Sequence, residues 1–355
     1  MRVREVRELY TALPGRRRQH EGRRKGHGRE ANQLNRIAIL SNAGSGRNAR
    51  KAALIESFGG LTAVHQEVTR SAADLPRALE ALLARNPSVL AINGGDGTVH
   101  AVLTALGDRP APPLAVLPAG STNMTAHDLR CGGRLSRRRR ALLALRDLPL
   151  ETWPTLSRAP LALRCPDGRE LRGFFFGMGM IVRGIEYWHA SLRHGVGAGE
   201  WAAGAALLRV ALGMLRREAP FDTPAQVPAM LDGDPLPPAP KSLFLASTMQ
   251  RLFLGMTPFW GVEAGPLACT WLSDRPRGLG WRLPALLTGR ARFLSPEAGF
   301  FSRRGETLSL TVEEPWVIDG EAYTDQGTLA LRAASLRTFV ALAGPGKAGS
   351  WGQGG

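Results

Sequence analysis

Three short apolar runs constrain this chain more than any other feature. Each one breaks into a loop rich in glycine, serine or asparagine. Residues 36–40 (Arg-Ile-Ala-Ile-Leu) lead into Ser41-Asn42-Ala43-Gly44-Ser45-Gly46-Arg47-Asn48. Residues 88–92 lead into Asn93-Gly94-Gly95-Asp96-Gly97-Thr98, and residues 114–117 into Pro118-Ala119-Gly120-Ser121-Thr122-Asn123. Apolar runs without polar alternation are strands buried on both faces, and helices between them make the sheet parallel. Residues 62–69 read as a further strand, and residues 49–58, 72–85 and 99–106 carry helical spacing. In open parallel sheets ligands bind outside the carboxyl ends of the strands, which is where all three loops fall.

From about residue 155 the texture changes. Segments at 161–164, 171–176, 242–247, 268–272, 307–312 and 328–331 are separated by Pro, Gly and Asp turns, the pattern of an antiparallel β domain. A helical stretch at 186–218 lies between them, its aromatic and aliphatic residues serving as core, with part able to line an acyl pocket. The Pro-rich stretch 224–240 reads as a loop. The expected organisation is a disordered basic arm at 1–34, an α/β domain at 35–155, a β domain at 156–340 whose last segment is free to return to the first, and a flexible tail at 341–355.

The 46 Lys and Arg against 30 Asp and Glu leave a net charge of +16, which favours an anionic partner: nucleotide, nucleic acid or acidic membrane surface. The excess clusters in the arm (Arg16, Arg17, Arg18, Arg23, Arg24, Lys25, Arg29) and again at Arg134, Arg137, Arg138, Arg139 and Arg140. No RNP, zinc or helix-turn-helix pattern accompanies them, and no aromatic residues interleave, so no specific nucleic acid is expected. Cys131, Cys165 and Cys269 match neither a disulfide framework nor a metal site, which favours a reducing compartment. No run reaches the ~18 apolar residues of a membrane span. The basic N-terminus lacks an apolar segment to make it a secretory signal. The expected location is the cytoplasm, including its peripheral zone on the inner face of the membrane.

The chemistry gathers in the loops. Three glycines around Asp96 let backbone N–H groups approach an anion where a Cβ would block them. A carboxylate among such amides repels phosphate unless a metal or a transferable proton intervenes. Asp96 therefore reads as a Mg²⁺ holder or as a proton acceptor. The first loop, Asn42-Ala43-Gly44-Ser45-Gly46, is built to wrap phosphate, yet lacks the Lys-Ser/Thr of a Walker loop and the spacing of a dinucleotide fold. The third offers Gly120, Ser121, Thr122 and Asn123 to the same mouth, although Ser121 or Thr122 would serve equally as the N-cap of a following helix. Far along the chain, Asp319-Gly320-Glu321 sets two carboxylates around one glycine. That suits a tight turn projecting both into one cleft, and on its own it is a hairpin signal.

In this order and at these separations, the four motifs resemble the diacylglycerol kinase catalytic-domain family, with its bacterial lipid kinases, sphingosine kinases and ceramide kinases. The resemblance spans residues 35–340. It implies an α/β + β architecture: an N-terminal α/β domain like that of NAD kinases and phosphofructokinases, and a C-terminal antiparallel β-sandwich that takes the lipid. It also implies ATP and Mg²⁺ between the two domains, and transfer of the γ-phosphoryl group to the hydroxyl of a neutral, diacylglycerol-like lipid, giving a phosphatidic acid-like product at a membrane surface. Carried over by position, Asn42, Gly44, Ser45, Gly46, Thr69, Gly94, Gly95, Gly97, Thr98, Gly120, Ser121, Thr122 and Asn123 line the nucleotide site. Asp96, Asp319 and Glu321 are the essential carboxylates, with Glu321 favoured as base and Asp96 as the Mg²⁺ and phosphate organiser.

Two positions depart from the family pattern. Ala101 stands where a Glu is usual, which takes away one polar contact on the nucleotide side. Residues 258–265 hold Glu263 alone where many bacterial members carry an Asp-Asp-Gly turn, so a second structural metal is not expected. His100 is expected as a polar helix residue, and Arg137, Arg138, Arg139 and Arg140 either lie in solvent or dock on anionic headgroups. A homodimer is left open. The rival readings are an NAD kinase-like enzyme with a soluble substrate, a nucleotide-binding protein without turnover, and a basic nucleic-acid-binding protein.

Overall fold

The computed structural model describes residues 34–50, 58, 60–193 and 224–343, with scattered positions between 209 and 218. All but the last residue of the expected basic arm lies outside the described residues. So do most of the helical stretch at 49–58, much of that at 186–218, and the tail from 344.

The first layer alternates as its sequence requires. In chain order it holds β1 (Ile37–Asn42), α1 (Gly46–Arg50), β2 (Val64–Thr69), α2 (Leu75–Leu83), β3 (Val89–Gly94), α3 (Asp96–Leu106), β4 (Leu114–Pro118), α4 (Met124–Asp128) and α5 (Leu135–Ala144). The strands β2, β1, β3 and β4 pair in parallel. Ile37, Ile39, Leu40, Val89, Leu90 and Ile92 are fully buried, as apolar strands covered on both faces must be. One boundary differs from expectation. The glycine-rich motif is no open turn: Gly94 ends β3, Gly95 is the N-cap, and Asp96 already lies in the first turn of α3. An acidic residue there is favoured by the partial positive charge of the helix N-terminus.

The chain then leaves this layer through β5 (Thr155–Arg158). It continues through β6 (Leu161–Arg164), β7 (Glu170–Gly173), β8 (Phe175–Gly179), α6 (Met180–Arg193), β9 (Ala229–Leu231), β10 (Asp234–Pro235), β11 (Lys241–Ser247) and β12 (Leu267–Ser273). It ends with α7 (Leu279–Thr288), β13 (Phe300–Gly305), β14 (Thr307–Val312), β15 (Trp316–Ile318), β16 (Glu321–Tyr323), β17 (Gly327–Ala333) and β18 (Arg337–Val340). Two antiparallel sheets, ordered β10-β9-β14-β17-β6-β7 and β13-β12-β11-β8-β15-β16, enclose a core that includes Phe176, Phe244, Trp271, Leu310 and Trp316. This is the expected sandwich. Leu272, next to Trp271, faces the opposite way and joins Phe300, Leu279 and Leu286 in a separate small core that seats α7 on the far side of its sheet.

Three expectations need correction. The run 171–176 is two strands in different sheets, broken at Phe174, whose ring enters the core of the first layer 6.1 Å from Phe339. The stretch 224–240 carries the hairpin β9–β10, turned by Asp232 (φ 53°) and Gly233 (φ 89°). These are the backbone angles of the tight turn that suits twisted strands. The boundary at 155/156 also cuts β5, which belongs to the first sheet, and β18 returns to that sheet between β4 and β5.

Candidate active site

At the carboxyl ends of β1, β3 and β4 the three loops close on one another. The Asn42 side chain donates to Thr98 Oγ1 (2.9 Å) and accepts from the Gly44 N–H (2.9 Å), tying the first loop to the start of α3. The second and third loops meet backbone to backbone. A Cβ on Gly95 would sit 3.0 Å from Gly120 Cα, and a Cβ on Gly120 2.5 Å from Gly95 Cα, so only glycine permits the approach. Ser45 Oγ and Ser121 Oγ border the gap, 3.5 Å from the Cβ direction of Gly95 and 3.2 Å from that of Gly46. The N–H groups of Asp96 and Gly97 open α3 and have no acceptor within the helix.

Other residues of the expected nucleotide set turn inward. Asn123, left-handed at φ 51°, spends its amide on Gly120, accepting from its N–H (2.8 Å) and donating to its carbonyl (2.9 Å). Thr69 lies buried beneath the first loop, its hydroxyl donating to the Ser41 carbonyl (3.5 Å) and its own carbonyl accepting from the Ala43 N–H (2.9 Å). Gly44, Gly46, Gly94, Gly97 and Thr98 stay at the strand ends with the loops. Asn48 is a member that the sequence reading missed. It donates to the carbonyls of Asn42 (2.9 Å) and Asn93 (3.0 Å), bridging the first loop to β3.

Asp96 resolves the puzzle of a carboxylate among phosphate-binding amides. Its Oδ2 accepts from the Thr122 hydroxyl (2.7 Å) and the Met124 N–H (3.1 Å), and its Oδ1 from the Thr125 N–H (2.8 Å). The charge is spent on the start of α4, where the expected capping by Ser121 or Thr122 is not found. Through these bonds Asp96 is a strut between the second and third loops. No group of three His, Cys, Asp or Glu side chains is placed for a metal among the described residues.

The late acidic motif is both things its sequence allowed. Ile318 pairs with Glu321 across a two-residue turn of Asp319 (φ 48°) and Gly320 (φ 90°), so it is a hairpin, and the hairpin reaches the mouth. Asp319 is buried and accepts from the N–H groups of Phe174 (3.0 Å) and Phe175 (2.9 Å). Burial first, and then the negative charge of Asp96 and Glu321, push its carboxyl well above the usual range. Glu321 is exposed, and its carboxylate lies against Gly97, over the space that a Cβ on that glycine would take. The three carboxylates therefore stand together, two of them bonded to backbone N–H groups and the third open to solvent.

The seam that holds the hairpin against α3 was not legible in advance. His100 is buried, its Nδ1–H donating to the Arg172 carbonyl (2.8 Å) and its Nε2 accepting from the Tyr323 hydroxyl (2.8 Å). Burial lowers the His100 pKa, keeping the ring neutral, and pushes the Tyr323 hydroxyl up to about 12. The Arg172 N–H donates to Thr104 Oγ1 (2.9 Å), and its guanidinium bonds Asp108 (2.8 Å). His100 is thus more than a polar helix residue: it pins one domain to the other one turn from the mouth.

Residues 36–150 match the family model of the diacylglycerol kinase catalytic domain. The first layer is therefore similar to a diacylglycerol kinase catalytic domain, which supports a nucleotide-binding kinase. The fold extends the likeness beyond those residues. A solved structure described as a diacylglycerol kinase from Bacillus anthracis str. Sterne aligns with 87% of this chain and 97% of its own at 14% identity and a TM-score of 0.51. Two further structures from that strain, provisionally assigned the same activity, share 16% and 15% identity, with TM-scores of 0.56 and 0.55 and the same coverage. At such identities the likeness speaks for the fold alone. No curated relative matches the chain. No helix among the described residues is long and apolar enough to cross a membrane.

Proposed function

We propose that this kinase is an ATP-dependent lipid kinase that phosphorylates the hydroxyl of a diacylglycerol-like lipid. The observation that carries the reading is the Glu321 carboxylate, exposed and resting on Gly97 beside the glycine-lined mouth, while Asp96 and Asp319 are spent on backbone N–H groups. The triphosphate of ATP occupies the mouth, held by the N–H groups that open α3 and by the Ser45 and Ser121 hydroxyls. Magnesium, bound to the triphosphate, would neutralise its charge beside the Asp96 carboxylate. Glu321 takes the proton of the lipid hydroxyl as its oxygen bonds to the γ-phosphorus. The bond from that phosphorus to the bridging oxygen breaks, and ADP leaves. Such transfer asks mainly for positioning, which the interlocked loops supply. The protein works at the inner membrane surface.

The test is a panel assay. The purified full chain is given labelled ATP and Mg²⁺ with diacylglycerol, sphingosine or ceramide in mixed micelles, and with NAD in a parallel reaction. Mass spectrometry of the products then identifies the acceptor. Label in the diacylglycerol extract is the expected result. Label in NAD alone would replace the proposal with a soluble-substrate kinase. Tight ATP binding with no product from any acceptor would leave a nucleotide-binding protein without turnover, the reading that Ala101 favours.

A further inference from the structure

The far side of the sandwich carries a face that the kinase chemistry does not use. Residues 275–293 hold five arginines (Arg275, Arg277, Arg282, Arg290, Arg292) and no Asp or Glu. α7 is seated by Leu279, Ala285 and Leu286, which leaves Trp281 63% exposed, and the turn that follows leaves Phe293 37% exposed. Each aromatic ring has an arginine over it: Arg282 at 4.3 Å from Trp281 and Arg292 at 4.5 Å from Phe293. A neighbouring loop, fixed to α7 by the Thr257 N–H donating to the Leu287 carbonyl (2.9 Å), adds the exposed side chains of Leu254 and Val262. Leu215, itself 44% exposed, borders the other flank at Gly280.

Large apolar groups left in water beside cations, with the nearest carboxylates already engaged, need a surface that is apolar within and anionic at its edge. Asp274 pairs with Arg275, so the positive excess of the face rests on Arg277, Arg282, Arg290 and Arg292, and Glu263 pairs with Arg303. A second copy of the chain would set arginines against arginines across a two-fold axis. A bilayer with acidic headgroups satisfies both halves, because arginine stems lie along the apolar zone while their guanidinium groups stay at the headgroups. The earlier candidate, the arginine run on α5, is weaker, because no large apolar side chain of α5 is left exposed beside its cations: Leu135 and Leu142 are buried.

We infer that α7 and the turn after it, residues 275–293, form the docking face of this protein on an anionic lipid bilayer. The inference deepens the lipid-kinase reading, and rests on it only for its purpose, which is to hold the enzyme on the membrane that contains its acceptor.

The full chain is sedimented with vesicles of phosphatidylcholine, and with vesicles in which about one-third of the lipid is phosphatidylglycerol. Binding is expected to the anionic vesicles and weakly, if at all, to the neutral ones. Trp281→Ala with Phe293→Ala, and separately Arg290→Glu with Arg292→Glu, should each lower the partition by about tenfold or more. All four positions are exposed, and unchanged thermal melting confirms that the variants fold. Arg137→Glu with Arg140→Glu should bind almost as the parent does. Phosphorylation of a dispersed short-chain diacylglycerol should be the same in all of them. The face is wrong if both α7 pairs bind as the parent does, if only the α5 pair loses binding, or if neutral vesicles bind equally. It is equally wrong if the α7 variants abolish a dimer, or retention on single-stranded DNA, while vesicle binding stays intact. Because sedimentation needs no turnover, an inactive protein that still partitions as expected counts against the kinase reading alone.

Discussion

The two walls of the cleft use their polar side chains in opposite ways. On the α/β wall, Asn42, Asp96 and Thr122 bond neighbouring loops and Asn123 braces its own, so the groups that look most reactive in the sequence hold the mouth in shape. On the sandwich wall a single turn divides the labour: Asp319 is buried on the Phe174 and Phe175 N–H groups, and Glu321, two residues on, remains open. The contrast teaches that motif membership and chemical role are different things. A carboxylate enclosed by N–H donors has no open path to a substrate hydroxyl, and an exposed one held beside the phosphate mouth has one.

The sharpest way to break the contrast is Glu321→Gln. It keeps the shape and removes the acceptor, and lipid phosphorylation should fall by about 10²–10⁴-fold while ATP binding is retained. A variant with parental initial rates would remove Glu321 from the mechanism.

Asp96→Ala should act on the other wall through structure. Losing three charge-assisted hydrogen bonds to the start of α4 should cost about 3 kcal/mol, read from the urea midpoint, with activity falling as the third loop loosens. Full stability with lost activity would mean that Asp96 acts on substrate instead.

Across the seam, His100→Ala and Tyr323→Phe in a double-mutant cycle should show a coupling of about 1 kcal/mol. The His100 pKa is depressed, so its contribution to stability is present above the free histidine value of 6.5 and is lost as pH falls through the lowered folded value. The coupling should shrink on acidification, and a cycle with no coupling at neutral pH would break the seam as described.

The smallest effect belongs to Asp319→Asn. A carboxyl raised in the folded state stabilises below its unfolded pKa, and that contribution disappears as pH rises through the folded value. Urea midpoints of parent relative to variant should therefore decline from acid toward neutral pH. A flat difference would mean that Asp319 sits in the fold with an ordinary carboxyl.

What the sequence made legible was local. Each buried strand and its glycine-rich exit are neighbours in the chain, so apolar runs and loop composition were enough to assemble the mouth. The hairpin at Asp319 and Gly320 was legible for the same reason. Asp96 reaches donors 28 and 29 residues away, and His100 meets Tyr323 across 223 residues, separations that periodicity does not encode. Phe174 breaks a strand that looks continuous because its ring is claimed by the other domain's core. The start of α3 at Asp96 was missed because glycines there read as a turn, whereas the helix tolerates them in its first turn beside a favourable acid.

The return of β18 to the first sheet has a consequence for how the protein comes into being. Phe339 and Val340 are wholly enclosed among residues laid down some two hundred positions earlier, so the first sheet stays unfinished until residue 340 has left the ribosome. A fragment ending near residue 150 would expose that seam to water and to any strand that fits it, and should aggregate where the complete polypeptide does not.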